Sequence, residues 1–149
     1  MRILALDVGE RRIGVAVSDP LEIVSRPVGV IDCSSRAEDF AAIGALVAQH
    51  QAGLVVVGRP LTLRGEVGPQ ARQIERYAAA LAQALPVPVQ MWDERYSTVA
   101  AKDILRQTRR KGGRRDADKG EIDAVAAAVI LQGFLESRRQ ELEECLTEE

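Results

Sequence analysis

The sequence is poor in the residues that bind soft metals or staple small folds, with two cysteines and one histidine among 149 residues. Cys33 and Cys145 stand far apart and at no metal-ligand spacing. This argues against a zinc site and a disulfide framework and for free thiols in a reducing compartment. No stretch of about 18 apolar residues is present, as a membrane span would need. The N-terminal MRILALDVG lacks the long apolar segment and small-residue cleavage site of a signal peptide. The expectation is a soluble, cytoplasmic protein with no membrane partner. His50, the lone histidine, falls at a predicted helix C-terminus, where an imidazole caps carbonyls, and receives no catalytic role. The length predicts one domain that buries about two-thirds of its unfolded surface without a cofactor or disulfide.

Excess charge of either sign is also small, a formal −2, but it is unevenly placed. Residues 136–149 hold six acids against two arginines, a net −4, which leaves residues 1–135 at +2. Within RQTRRKGGRRDADK, residues 106–119, seven bases face two acids, a local +5. Most such runs are solvated loops, yet beside a cluster of acids the run is also the footprint of a polyanion-binding surface.

Short apolar runs at 2–8 and 12–18, joined by GERR, predict a hairpin, with IVSRPVGVI (23–31) as a third strand. Ser35 and Glu38 form a capping-box pattern before a helix built on Phe40, Ile43, Leu46 and Val47, which Gly53 is expected to end. LVVVG (54–58) is a continuous β-branched run, the pattern of a parallel strand covered on both faces. Pro69 opens a second helix that runs to about Ala84 on Ile74, Tyr77, Ala78, Leu81 and Leu85, and VPVQMWDE (87–94) is the fifth strand. Ser97 or Thr98 caps a helix over 99–109, the basic loop follows, and residues 120–140 form the last helix. The order βββαβαβα predicts one α/β sheet, antiparallel over its first three strands and then parallel, with helices on both faces. The domain spans 1–139, and 140–149 is an acidic C-terminal tail that frays.

One acid interrupts the first apolar strand. Asp7, in LALDVGERRIGVAVSDP, costs free energy there unless something pairs with it. Glu94 closes the fifth strand, and Asp123 opens the last helix, whose AVAAAVI face is small enough to approach the sheet closely. This order of elements sends all three acids toward one edge. Carboxylates gathered without cations repel one another, so protons or metals must neutralise them. Oxygen donors with no His or Cys cluster favour Mg²⁺ or Mn²⁺ over zinc, and such ions activate water for phosphodiester hydrolysis. Each acid has a plainer alternative. Asp7 suits a turn before Gly9, Glu94 can pair with Arg95 while Asp93 is the inward acid, and Asp123 can serve the helix dipole as Glu121 does. Asp116 and Asp118 read as solvating and capping groups within reach of a metal. Trp92 reads as core, with stacking on a splayed base as the alternative. Gly9 and Gly14 leave room for a tight turn and a close phosphate approach.

LALDVGERRIGVAVSDP, VVVGRPLTLRGEVGPQA, WDERYST and KGEIDAVAAAVILQGFL, in this order and over residues 1 to about 136, closely resemble the YqgF (RuvX) family. That family comprises Holliday junction resolvase-like proteins and nucleases of the 16S ribosomal RNA precursor. The resemblance implies a ribonuclease H-like fold with a five-stranded mixed sheet. It carries catalytic and metal-ligand roles onto Asp7, Glu94 and Asp123, which would hold one or two Mg²⁺ or Mn²⁺ ions that activate the attacking water. It also places Arg11 and Arg12 beside Asp7, and Arg109, Arg110, Lys111, Arg114 and Arg115, as phosphate contacts. The chain departs from the family's glycine loop at Thr62 and Arg64, where Asn and Asp are common, so a base replaces a minor acid. Related resolvases of the RuvC type end the fourth strand with an acid where this chain reads GRP, which assigns the second ligand to Glu94.

The expected activity is therefore a metal-dependent endonuclease acting on branched DNA or precursor ribosomal RNA. Symmetric junction cutting needs two sites, which a homodimer supplies, and the apolar positions of the helices at 99–109 and 70–84 are the candidate faces. The alternative is a non-catalytic nucleic-acid-binding module in ribosome or DNA-repair processing, for which the acids are dispensable. DVGERRIGVAV also resembles the first phosphate loop of actin-like and sugar-kinase ATPases, but those clasp a nucleotide between two lobes and this length supplies one.

Overall fold

The computed structural model describes residues 1–60, 66–93 and 118–147, the side chains of 118–122 and 147 apart. β1 (Arg2–Val8), β2 (Arg12–Ser18) and β3 (Ser25–Asp32) form an antiparallel meander. β4 (Ala52–Arg59) and β5 (Val89–Asp93) add to the other side of β1 in parallel, giving the order β3-β2-β1-β4-β5. α1 (Arg36–His50) and α2 (Pro69–Ala84) cover one face, and the last helix, α3 (Asp118–Thr147), covers the other. The mixed sheet with helices on both faces is the one the sequence predicts.

The two-residue alternation of the strands divides the core. Leu4, Leu6, Ile13, Val15, Val55 and Val57 pack toward α1 and α2, against Ile43, Val47, Ile74, Ala78 and Leu81. Ile3, Ala5, Ala16, Leu54 and Val56 pack toward α3, against Ala127, Ala128, Leu131 and Phe134. Full burial of each large aliphatic chain contributes about 1.5–3 kcal/mol. The apolar positions of α2 offered above as a dimer face are therefore spent inside the molecule: Ile74, Ala78, Leu81 and Leu85 are all buried. The other candidate helix, 99–109, lies outside the described residues.

Ser35 caps α1 as expected, its hydroxyl accepting from the Glu38 N–H at 3.1 Å, but the Glu38 carboxylate accepts from the Ser34 hydroxyl. Gly53 does not end this helix. Gln51 takes the left-handed conformation (φ 53°), β4 starts at Ala52, and Gly53 lies inside the strand with the Met1 sulfur 2.5 Å from where a Cβ would stand. The Met1 side chain, half exposed, lies over Gly53, which takes no part in the turn. The expected fraying beyond residue 139 also gives way: α3 continues to Thr147, a stretch rich in Glu and Leu, which are good helix formers. Arg138 pairs with Glu22 at 3.3 Å, and the Arg139 guanidinium donates to the Ile23 carbonyl at 3.3 Å. Among the described residues no helix is long and apolar enough to cross a membrane.

A buried polar latch fixes α3 to β3. The Gln132 side-chain oxygen accepts from Ser25 N–H (3.1 Å), its amide donates to Ile23 C=O (3.3 Å), and the Ser25 hydroxyl donates to Ala128 C=O (2.7 Å). Gln132→Met leaves the buried Ser25 N–H unsatisfied and is expected to destabilise the protein by about 1–3 kcal/mol in urea unfolding, without altering the site described below.

The turn from β2 to β3 is organised by Asp19, whose carboxylate accepts from the N–H groups of Ile23 (2.7 Å), Val24 (2.8 Å) and Leu21 (3.2 Å). These bonds, the one from Val24 foremost, hold the carboxyl below its ordinary value. A depressed folded value means that the stabilisation is complete above the unfolded value, about pH 4, and is lost as the pH falls through the folded one. Asp19→Asn should therefore be less stable than the parent at neutral pH, with the gap closing in acid when both are unfolded by urea across a pH series.

Candidate active site

Asp7 occupies the end of β1, and the alternation that turns Ile3 and Ala5 toward α3 turns Asp7 the same way. Its partner across the β1–β2 ladder is Gly14. A Cβ at Gly14 would run into the carbonyl carbon and oxygen of Asp123 and lie 3.1 Å from the Ala124 nitrogen. The space foreseen for a phosphate is thus filled by the backbone of α3. Gly9 does close the hairpin turn, its N–H donating to the Arg12 carbonyl at 2.9 Å. With Ala5, Ala16, Ala124, Ala127 and Ala128 around it, Gly14 lets α3 rest directly on β1 and β2. Asp123 is carried to the strand pair that bears Asp7, as its small-residue face predicts.

The two acids feel one another. Burial, and then the negative charge of Asp123, hold the Asp7 carboxyl above its ordinary value. Asp123 Oδ2 accepts from Arg12 Nε at 2.9 Å, in a pair whose side chains are 32% and 36% exposed. Among the described residues, the base paired at this point serves Asp123 and not Asp7. A half-buried carboxylate beside a second one, with oxygen donors alone, is the donor chemistry of a hard divalent cation. Arg11 is exposed on the same turn, its carbonyl accepting from Cys33 N–H at 2.9 Å. Among the described residues no group of three or more His, Cys, Asp or Glu converges. Glu94 lies outside them, as do Thr62, Arg64, Arg95, Arg109, Arg110, Lys111, Arg114, Arg115 and Asp116, and the side chains of Asp118 and Glu121.

β5 decides between its two terminal residues in part. Trp92 packs on the α3 side, edge-on to Phe134 with ring centroids 5.7 Å apart, so it belongs to the core. Asp93 lies one residue on and engages the other side: its Oδ1 accepts from Arg59 Nε at 2.6 Å, and Arg59 Nη1 donates to Glu75 of α2, also at 2.6 Å. The alternative in which Asp93 is the inward acid is thereby corrected. These two bonds raise the Arg59 guanidinium above its ordinary value. Sequence reasoning missed Arg59, although a base ending a buried β-branched run is a signal in itself. His50 ends α1 as expected, but its buried Nε2 has no hydrogen-bond partner among the described residues.

The model of the family "RuvX: Holliday junction resolvase" matches residues 1–137. The chain belongs to the RuvX family. A RuvX relative from Chloroflexus aurantiacus, "Putative pre-16S rRNA nuclease", is 47% identical over 137 residues, covering 92% of this chain and 88% of that protein. A Synechocystis protein of the same name is 41% identical over 141 residues, covering 95% and 91%. Among solved structures, Thermus thermophilus RuvC in complex with Holliday junction substrate superposes with a TM-score of 0.60 at 18% identity, over 93% of this chain and 96% of that one. The fowlpox virus Holliday junction resolvase gives 0.53 at 12% identity, over 92% and 99%. The RuvX chain thus has the ribonuclease H-like fold of these resolvases and stands in a family of nucleases.

Proposed function

We propose that this RuvX chain is a metal-dependent endonuclease of structured nucleic acid in which Asp7, Glu94 and Asp123 hold Mg²⁺ or Mn²⁺. The observation that carries this reading is Asp7, placed by strand parity on the α3 side, half-buried, and repelled by Asp123. Glu94 directly follows β5 in the chain and lies outside the described residues, so its ligand role rests on the family resemblance. A divalent ion in this ligand set would polarise the attacking water and stabilise the leaving oxygen. Arg12 orients Asp123 through its 2.9 Å bond. Arg11 with Arg109, Arg110, Lys111, Arg114 and Arg115 offers cations to phosphates, a contact that positions the substrate without reading its sequence.

The RNA precursor is the favoured substrate, because relatives at 41–47% identity carry that name while the likeness to RuvC speaks for the fold. A cytoplasmic location suits such a substrate, and symmetric junction cutting would require two copies of the chain. The test compares a labelled RNA spanning the 5′ end of mature 16S with a synthetic four-way DNA junction, each with Mg²⁺, Mn²⁺ or EDTA. Metal-dependent cutting of the RNA is expected. Cutting of the junction alone would move the substrate to DNA, and binding of both without cutting would replace the nuclease with a binding module.

A further inference from the structure

We propose that the cleft between the N-terminal halves of α1 and α2 is a subsite for a nucleotide of the substrate's single-stranded flank, a role that rests on the nucleic-acid reading above. The cleft has a volume of about 970 Å³, in the range of small-molecule sites, and lies at the edge where β1 ends. Ligands of α/β sheets bind outside that end of the strands. Val8, Gly9 and Glu10 form part of its wall. Asp7 precedes them and turns to the α3 side, so the cleft and Asp7 lie on opposite faces of the sheet with the Gly9–Glu10 turn between them. A strand held at Asp7 enters the cleft by crossing this turn, beside exposed Arg11.

The lining suits an anion that carries a flat ring. Arg36 of α1 and Arg76 of α2 are exposed at the cleft, and neither forms an ion pair among the described residues. Gln70 and Gln73 add amide donors, and α2 starts after Gly68 with no side-chain cap and no acid in its first turn, which leaves its positive end uncompensated. Two acids oppose these groups. Asp39 is 7% exposed and its charge is engaged in the first turn of α1, where Oδ1 accepts from the Ser34 N–H at 3.0 Å. Glu10 is exposed on the turn, so it is the acid that a bound phosphate meets. Arg36 lies over the rings of Phe40 and Tyr77, its guanidinium carbon 5.9 and 5.7 Å from their centroids. This contact holds a flat cation at the wall, on which an unpaired base can stack while Arg76 and the start of α2 take the phosphate.

The experiment measures binding of a fluorescein-labelled short single-stranded RNA to the full chain in EDTA, by polarisation, for wild type, Arg76→Met, Gln73→Glu and Glu10→Gln. Arg76 and Gln73 are exposed on α2, so these variants should melt as wild type does. Arg76→Met should weaken binding by about 10-fold, the loss of one charge-assisted contact to phosphate. Gln73→Glu should weaken it by about 3-fold through repulsion, and Glu10→Gln should tighten it by about 3-fold, a gain that no loss of folding produces. Cleavage is then compared on a precursor RNA with and without its single-stranded flank, where Arg76→Met should shrink the kcat/KM advantage of the flanked RNA by about the same 10-fold. Absence of binding by wild type, wild-type affinity in Arg76→Met and Gln73→Glu, or an unchanged kcat/KM advantage overturns the subsite. Displacement of the labelled RNA by uridine 5′-monophosphate at comparable concentration would make the cleft a free-nucleotide site and overturn its assignment to the substrate strand. If wild type cuts neither RNA while the binding differences hold, the nuclease reading falls and the cleft stands. If cutting is intact and the binding differences vanish, the cleft alone falls.

Discussion

Asp7→Asn is expected to lose cleavage by at least about a hundredfold while gaining thermal stability. The first effect follows because a ligand contributes no less than the partners that orient it, whose loss already costs about 10–100-fold. The second follows from burial and from the charge of Asp123, which raise the Asp7 carboxyl. A raised folded value means that the native protein holds this proton more tightly than the unfolded chain. Stability then falls as pH climbs from the unfolded value through the folded one, and it stays reduced at neutral pH. Asparagine carries no charge and escapes that loss. Melting in EDTA should show the two proteins together in acid and the variant ahead at neutral pH. Excess Mg²⁺ should reverse the order, since an ion that binds the native state alone stabilises wild type in proportion to its occupancy. Retained cleavage would remove Asp7 from the ligand set, and lower stability in EDTA would mean that its charge is paired in the fold.

The approach of Asp7 and Asp123 is legible in the sequence because its cause is local. A charge inside an apolar strand stands out by burial cost alone, and Asp123 is marked by the alanines that follow it. The partition of the core is legible for the same reason, since Ile3 and Ala5 alternate with Leu4 and Leu6. β5 is different. Its short run VQMWD places Val89 and Met91 on one side and Trp92 on the other, apolar residues on both, so alternation does not say which way an acid at its end points. Only the pairing of Asp93 with Arg59, a residue 34 positions earlier on a parallel neighbour, fixes it. Contacts across a parallel crossover leave no short-range trace. Gly14 is visible as a glycine near Asp7, but its neighbours in sequence suggest room for a phosphate and not for a helix, because the depth to which a helix settles on a sheet depends on side chains more than a hundred residues apart.

That depth carries the remaining large effect. Gly14→Ala is expected to destabilise the protein by about 3 kcal/mol or more, the upper range for an added methyl in a packed interior. The methyl would meet the carbonyl group of Asp123 and the nitrogen of Ala124, which are backbone atoms with no rotamer to escape into. α3 must therefore lift or slide, loosening Ala127, Ala128 and Leu131 against Ala5 and Ala16. The same shift moves the Asp123 carboxylate away from Asp7 and from Arg12, and a displacement of about 1 Å in a reacting constellation costs on the order of a hundredfold in rate. The identical substitution at Gly44 is the control. There a Cβ meets Leu85 Cδ2 at 3.7 Å, an ordinary contact, inside α1, and the helix favours alanine by up to about 1 kcal/mol. Urea unfolding and the cleavage assay should give opposite stability changes for the two variants, with activity lost in one and kept in the other. If Gly14→Ala were as stable and as active as wild type, α3 would not rest on β2 at this point, and the pairing of Asp7 with Asp123 on which the site depends would fall.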